Sequence, residues 1–137
     1  MGKIKMEPYL FFKGKAREAM EFYKNIFGGE LSMQTYAEAG QGRPEGMTDD
    51  MLMHARLSSE EIDILSSDTA AASPEAKKIT LTIEGDDESR LTQIFEKLSE
   101  GGRIISPLKK EFWGDIYGSL TDRFGIEWMI DIRPTTA

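Results

Sequence analysis

Ala19-Met20-Glu21-Phe22-Tyr23-Lys24-Asn25-Ile26-Phe27-Gly28-Gly29 is the stretch whose pattern decides the fold. Its residues Ala19, Phe22, Tyr23 and Ile26 fall at i, i+3, i+4 and i+7, the spacing of one buried helical face. The glycine pair behind them can take the left-handed conformation that ends a helix without steric cost. The pattern returns 72 residues after Ala19 in Leu91, Ile94, Phe95 and Leu98, again followed by a pair, Gly101-Gly102. Asp86, Asp87 and Glu88 open this second helix and complement the positive end of its dipole.

The flanks repeat as well. Apolar runs at Pro8–Phe12 and Ile79–Ile83 precede the helices, and strand candidates Glu30–Tyr36 and Arg103–Leu108 follow them. Ile79, Leu81 and Ile83 alternate with period 2, as a half-buried strand should. Met51–Leu57 and Ile62–Ser66 close the first half; Asp115–Leu120 and Glu127–Ile132 close the second. Each half therefore reads β-α-β-β-β. The expectation is one domain over residues 1–137, built of module 1 (about 4–66) and module 2 (about 77–132). Ser67–Ala76, small, polar and interrupted by Pro74, suits a linker. One helix cannot cover both faces of a four-stranded sheet, so the halves must share a core or pair with another chain. Ala37–Asp50, with Gly40, Gly42, Pro44 and Gly46, is long enough to be a mobile or functional loop.

Composition excludes whole mechanisms. The 137 residues include no cysteine, one histidine (His54) and eight methionines, with net charge −7. Disulfides, thiolate nucleophiles and zinc ribbons are ruled out. One histidine cannot build a His₃ or His₂-carboxylate metal site within one chain. The acidic balance argues against a nucleic-acid partner. No run approaches the ~20 apolar residues that span a bilayer, and Met1–Met6 lacks the apolar core of a signal peptide. A cytoplasmic protein with no membrane partner is expected.

The duplicated βαβββ unit resembles the vicinal oxygen chelate superfamily of glyoxalases, bleomycin-resistance proteins and extradiol dioxygenases, and within it the PhnB-like group. Pro8-Tyr9-Leu10-Phe11-Phe12, Ala19–Tyr23, Met53-His54-Ala55-Arg56-Leu57, Phe112-Trp113-Gly114-Asp115 with Tyr117-Gly118, and Leu120–Ile130 carry the likeness. It implies an α+β fold whose two modules form an open barrel-like mixed sheet around a cavity, completed as a homodimer. It also implies one metal with ligands from four strands. Those positions fall near Tyr9, on His54, on Ile79 or Thr80, and near Met129; only His54 is a strong ligand. The expectation is a retained cavity with the standard metal site lost. No cofactor is assigned, and a divalent metal held through His54 is the one remaining option.

Alternation in Met51–Leu57 sets Leu52, His54 and Arg56 on one face and Met51, Met53, Ala55 and Leu57 on the other. His54 is either a hydrogen-bonded structural histidine or the polar centre of the cavity, as base, hydrogen-bond partner or residual ligand. Glu127 and Trp128 point to opposite faces: either Glu127 is exposed and Trp128 packed, or Glu127 faces His54 as an acid–base pair. Tyr9, Phe11, Phe112, Trp113 and Tyr117 are core aromatics or a stacking wall for a planar ligand, with Arg56 beside them. Met47, Met51 and Met53 could line an adaptable pocket, plain core filling being favoured for Met51 and Met53. Asp122-Arg123-Phe124-Gly125 reads as turn chemistry, with Asp122 bonding its neighbours' backbone. The glycines of the long loop miss the dinucleotide spacing. The function expected is small-molecule binding in the inter-module cavity. The alternatives are a lyase or isomerase using His54, with or without metal, and an antibiotic-sequestering protein of the bleomycin-resistance type.

Overall fold

A computed structural model describes residues 6–70 and 79–133, in two units that meet in sequence between Pro74 and Glu75. The first runs β1 (Tyr9–Phe12), α1 (Ala16–Phe27), β2 (Glu30–Thr35), α2 (Tyr36–Ala39), β3 (Leu52–Ser58) and β4 (Asp63–Asp68). The second runs β5 (Leu81–Gly85), α3 (Glu88–Ser99), β6 (Arg103–Lys110), β7 (Ile116–Thr121) and β8 (Glu127–Ile132). Each is the expected βαβββ unit, with a single helical turn, α2, added to the first. The class is α+β.

The two sheets have the same order, β1-β4-β3-β2 and β5-β8-β7-β6. In each, the first and last strands pair in parallel and the others antiparallel. A helix covers one face of each sheet. α1 buries Ala16, Ala19, Met20, Tyr23, Ile26 and Phe27, on the side where Ala55, Leu57 and Ile64 are also buried. α3 buries Leu91, Ile94, Phe95 and Leu98, with Leu120, Trp128, Ile130 and Ile132 as the buried strand residues. Each such large apolar side chain contributes about 1.5–3 kcal/mol on burial. Phe22 is only half-buried, because the stripe runs through Met20 instead.

The glycine pairs do two different jobs. Gly28 and Gly101 have φ of 73° and 75°, closed to most side chains. Their followers mark close backbone approaches: a Cβ on Gly29 would sit 2.3 Å from the Ser58 carbonyl oxygen, and one on Gly102 2.3 Å from that of Thr121.

The structure corrects several expectations. β4 runs through Ser67 and Asp68, both buried, rather than ending at Ser66. The reason is that Asp68 accepts hydrogen bonds from the Ala16 N–H (2.9 Å) and the Leu52 N–H (2.8 Å), tying the start of α1 to the start of β3. Residues 71–76 of the expected linker, and the expected module starts at 4 and 77, lie outside the described residues. β5 begins at Leu81, where pairing with Trp128 begins, and leaves Ile79 exposed. In β3 the register slips between Gln34–His54 and Thr35–Leu52. That bulge absorbs Met53 and turns Leu52 into the core with Ala55 and Leu57, off the His54 face.

The long loop is folded by its own bonds. Thr35 and Glu38 form a reciprocal capping box on α2. The Arg43 guanidinium donates to the Met47 carbonyl (2.7 Å) and to Asp49 (2.6 Å), and Met47 is buried. Met47 is thus the core methionine of the three, while Met51 and Met53 are half-exposed.

Candidate functional site

With α1 on one face of the first sheet, the opposite face carries four of the candidates. Strand register sets Tyr9, Leu65, Arg56 and Ser32 in one row across β1, β4, β3 and β2. The next row holds Phe11 and Ser67, then His54 and Gln34. Alternation places all of them on the same side.

Side-chain geometry joins these rows. The Tyr9 hydroxyl lies 3.4 Å from His54 Nδ1, with ring centroids 6.1 Å apart. Tyr9 stacks on Phe11 at 4.9 Å and 26°. Both rings keep exposed area, 39% and 52%. Arg56 donates from Nη1 and Nη2 to the Glu7 carboxylate at 3.1 and 3.0 Å, a two-pronged ion pair. The Glu7 side chain is only 9% exposed and that of Arg56 42%. Sequence reasoning missed Glu7, because its partner Arg56 lies 49 residues away and no local pattern connects the two.

The second sheet has the matching face. Superposing the two registers makes His54 equivalent to Tyr117, Phe11 to Glu84 and Ser67 to Asp131. One row there reads Glu84, Asp131, Tyr117 and Lys109. Burial raises the Asp131 carboxyl above the usual carboxylate range, and its hydrogen bond to Asp115 and the charges of Asp115 and Glu84 add to this, against the lowering by Arg133. Arg133 in turn pairs with Glu84 at 2.8 Å.

Glu127, half-exposed on β8, accepts a hydrogen bond from the Thr80 hydroxyl at 2.6 Å. Trp128 points to the core, and its indole N–H donates to Asp122 at 2.9 Å. Asp122 also accepts from the Phe124 and Ile126 N–H groups, and Gly125 has φ of 89°, the turn chemistry expected. Phe112 and Trp113 are not strand residues. They sit in the turn between β6 and β7, edge to face at 4.9 Å, with Phe112 almost wholly exposed. Tyr9, Phe11, His54 and Arg56 are therefore brought onto one face of the first unit. Glu127 and Tyr117 share a face of the second, and Trp113 stands at its hairpin tip.

The positions where a metal-binding relative would place ligands do not fit one. Tyr9 is bonded to His54, Thr80 to Glu127, and Met129 offers a soft thioether to a hard cation. Among the described residues no three His, Asp or Glu side chains are placed to hold a metal ion.

Two mixed βαβββ sheets of this order define a protein of the glyoxalase/bleomycin resistance/dioxygenase fold class. The family model described as 3-demethylubiquinone-9 3-methyltransferase matches residues 4–131, and the chain belongs to that family, the PhnB-like group of the superfamily. It is 28% identical over 141 residues to protein YjdN of Escherichia coli (strain K12), spanning 93% of this chain and 94% of that protein. The crystal structure of PA1353 from Pseudomonas aeruginosa is similar with a TM-score of 0.81 and 30% identity, over 97% of this chain and 100% of that one. A PhnB protein from Bacillus cereus gives a TM-score of 0.77 at 25% identity, over 94% and 99%. No helix among the described residues is long and apolar enough to cross a membrane.

Proposed function

We propose that the protein binds a small molecule on the helix-free face of its first sheet, with Tyr9, Phe11, His54 and Arg56 as the contacting side chains. The meeting of the Tyr9 hydroxyl with His54 Nδ1 beside the exposed, stacked Phe11 ring carries this reading. Stacked rings next to a few convergent polar groups are what ligand sites are made of. Glu127, Trp113 and Tyr117 enter the reading only through the family resemblance, as do a homodimeric state and the cytoplasm as its location. Methyl transfer is not part of the reading, which rests on what this face offers: an acid–base pair, a cation and stacked rings.

The test uses the single histidine. A fragment library of small aromatics is screened by NMR on the intact protein, following the His54 imidazole proton resonances. Fragments that shift these resonances in the wild type and not in Tyr9→Ala support the site. A library in which none does removes it.

The Tyr9–His54 contact also favours a second reading, a proton-transfer enzyme of the lyase or isomerase kind. When Nδ1 accepts the phenol proton, the imidazole carries its own proton on Nε2, available to a bound substrate. Turnover of any fragment hit that survives His54→Ala unchanged would remove this reading and leave the binding site standing.

A further inference from the structure

We infer that the ligand of this face is an aromatic carboxylate, its ring against Tyr9 and Phe11 and its oxyanion on the free edge of the Arg56 guanidinium. The inference rests on the proposed binding site and adds the chemical class of its occupant.

A guanidinium presents five N–H groups and no acceptor. Arg56 directs one from each terminal nitrogen to Glu7. Its remaining three have no partner among the described residues, and its side chain is 42% exposed on the ligand face. The nearly buried Glu7 carboxylate holds the guanidinium plane in place, so Arg56 is not a solvated side chain swinging through rotamers. A fixed planar fork with open N–H groups matches a carboxylate in geometry as well as charge. A cationic group, which has no acceptor, would leave that donor set unanswered.

The two register rows that hold Arg56 and the rings contain Tyr9, Leu65, Ser32, Phe11, Ser67, His54 and Gln34, and not one aspartate or glutamate. The equivalent rows of the second sheet do carry them, Glu84 at the Phe11 position and Asp131 at the Ser67 position. Carboxylates on the first face begin in the row beyond Arg56, with Glu30 and Asp63, and the Glu7 carboxylate is taken up by Arg56 itself; the two rows that hold the rings carry Arg56 and no acidic side chain. Tyr9 and Phe11 provide the apolar platform for a ring, and His54, two residues along β3 from Arg56, provides a second polar contact for a substituent.

The experiment compares benzoate with benzamide, two probes of one shape that differ in charge. Both are titrated into the wild-type protein while the His54 imidazole resonances are followed. Benzoate is expected to bind at least about tenfold more tightly, with the margin shrinking as salt is raised. Arg56→Gln should erase the margin by weakening benzoate at least about tenfold more than benzamide, and Arg56→Lys should restore only part of it because the charge returns without the fork. Equal binding of the two probes in the wild type, or a margin that survives Arg56→Gln, overturns the inference. So does failure of both probes when other fragments move His54. If no fragment moves His54, the binding site itself is refuted. Should Arg56→Gln fail to fold by circular dichroism, the wild-type comparison and its salt dependence decide.

Discussion

The Tyr9 hydroxyl reaches His54 Nδ1, 3.4 Å away, across the intervening strand β4. A residue of the first strand and one of the third are thus joined on the face that the helix leaves open. The bond is long and exposed, so its own contribution to stability is small. We expect Tyr9→Phe to change unfolding free energy by less than about 1 kcal/mol in urea titration, yet to shift the His54 imidazole resonances. Unmoved resonances would mean that the two side chains do not meet in solution.

Asp68 is where a single carboxylate holds two elements at once. It is buried and accepts from the first N–H of α1 and the first of β3. Removing it strands two buried donors. Asp68→Ala should cost about 2–4 kcal/mol, and Asp68→Asn less because its amide oxygen can still accept. Denaturant titration of the two variants gives the order, and an equal cost for both would contradict it.

The paired glycines allow a controlled comparison. Gly29→Ala and Gly102→Ala would each force a methyl to 2.3 Å from a carbonyl oxygen. Gly42→Ala meets nothing within 4 Å and suffers only its positive φ of 79°. The first two should lose more than about 2 kcal/mol, the third about 1 kcal/mol, the cost of a left-handed residue with a Cβ. Thermal melts that rank Gly42→Ala as the worst of the three would disprove the close approaches.

Asp131 makes stability depend on pH. Its pKa in the folded protein is raised, so the native state prefers the protonated carboxyl. The stabilisation this provides is complete below the unfolded-state value of about 3.9 and is lost as pH rises through the raised folded value. At neutral pH the native state carries the charge at a cost. Asp131→Asn should therefore raise the Tm at pH 7, with the gain disappearing toward about pH 4 and below. A gain that is constant across this range would rule out the linkage.

Local patterns were legible in advance, and contacts between distant strands were not. The stripe Leu91, Ile94, Phe95, Leu98 and the turn at Asp122 depend on residues within a few positions of each other, so spacing alone places them. The repeat then gave the family fold, because two copies of one rhythm constrain the topology of both. Alternation also put His54 and Arg56 together on the open face. It misplaced Leu52, because a bulge at Met53 is a property of the β2–β3 pairing and not of either strand. Glu7 and Asp68 were passed over for the same reason. Their partners, Arg56 in one case and Ala16 and Leu52 in the other, lie 16 to 52 residues away in sequence. Phe112 and Trp113, read as core aromatics or a stacking wall, stand in a turn that leaves them exposed, which excludes the core reading.

The division between Pro74 and Glu75 has a practical consequence. Both tryptophans of the chain, Trp113 and Trp128, fall after it, and the only histidine falls before it. Indole emission therefore watches one half and the imidazole protons the other, with no label introduced. A melt followed by both would reveal whether the duplicated halves let go together or in succession.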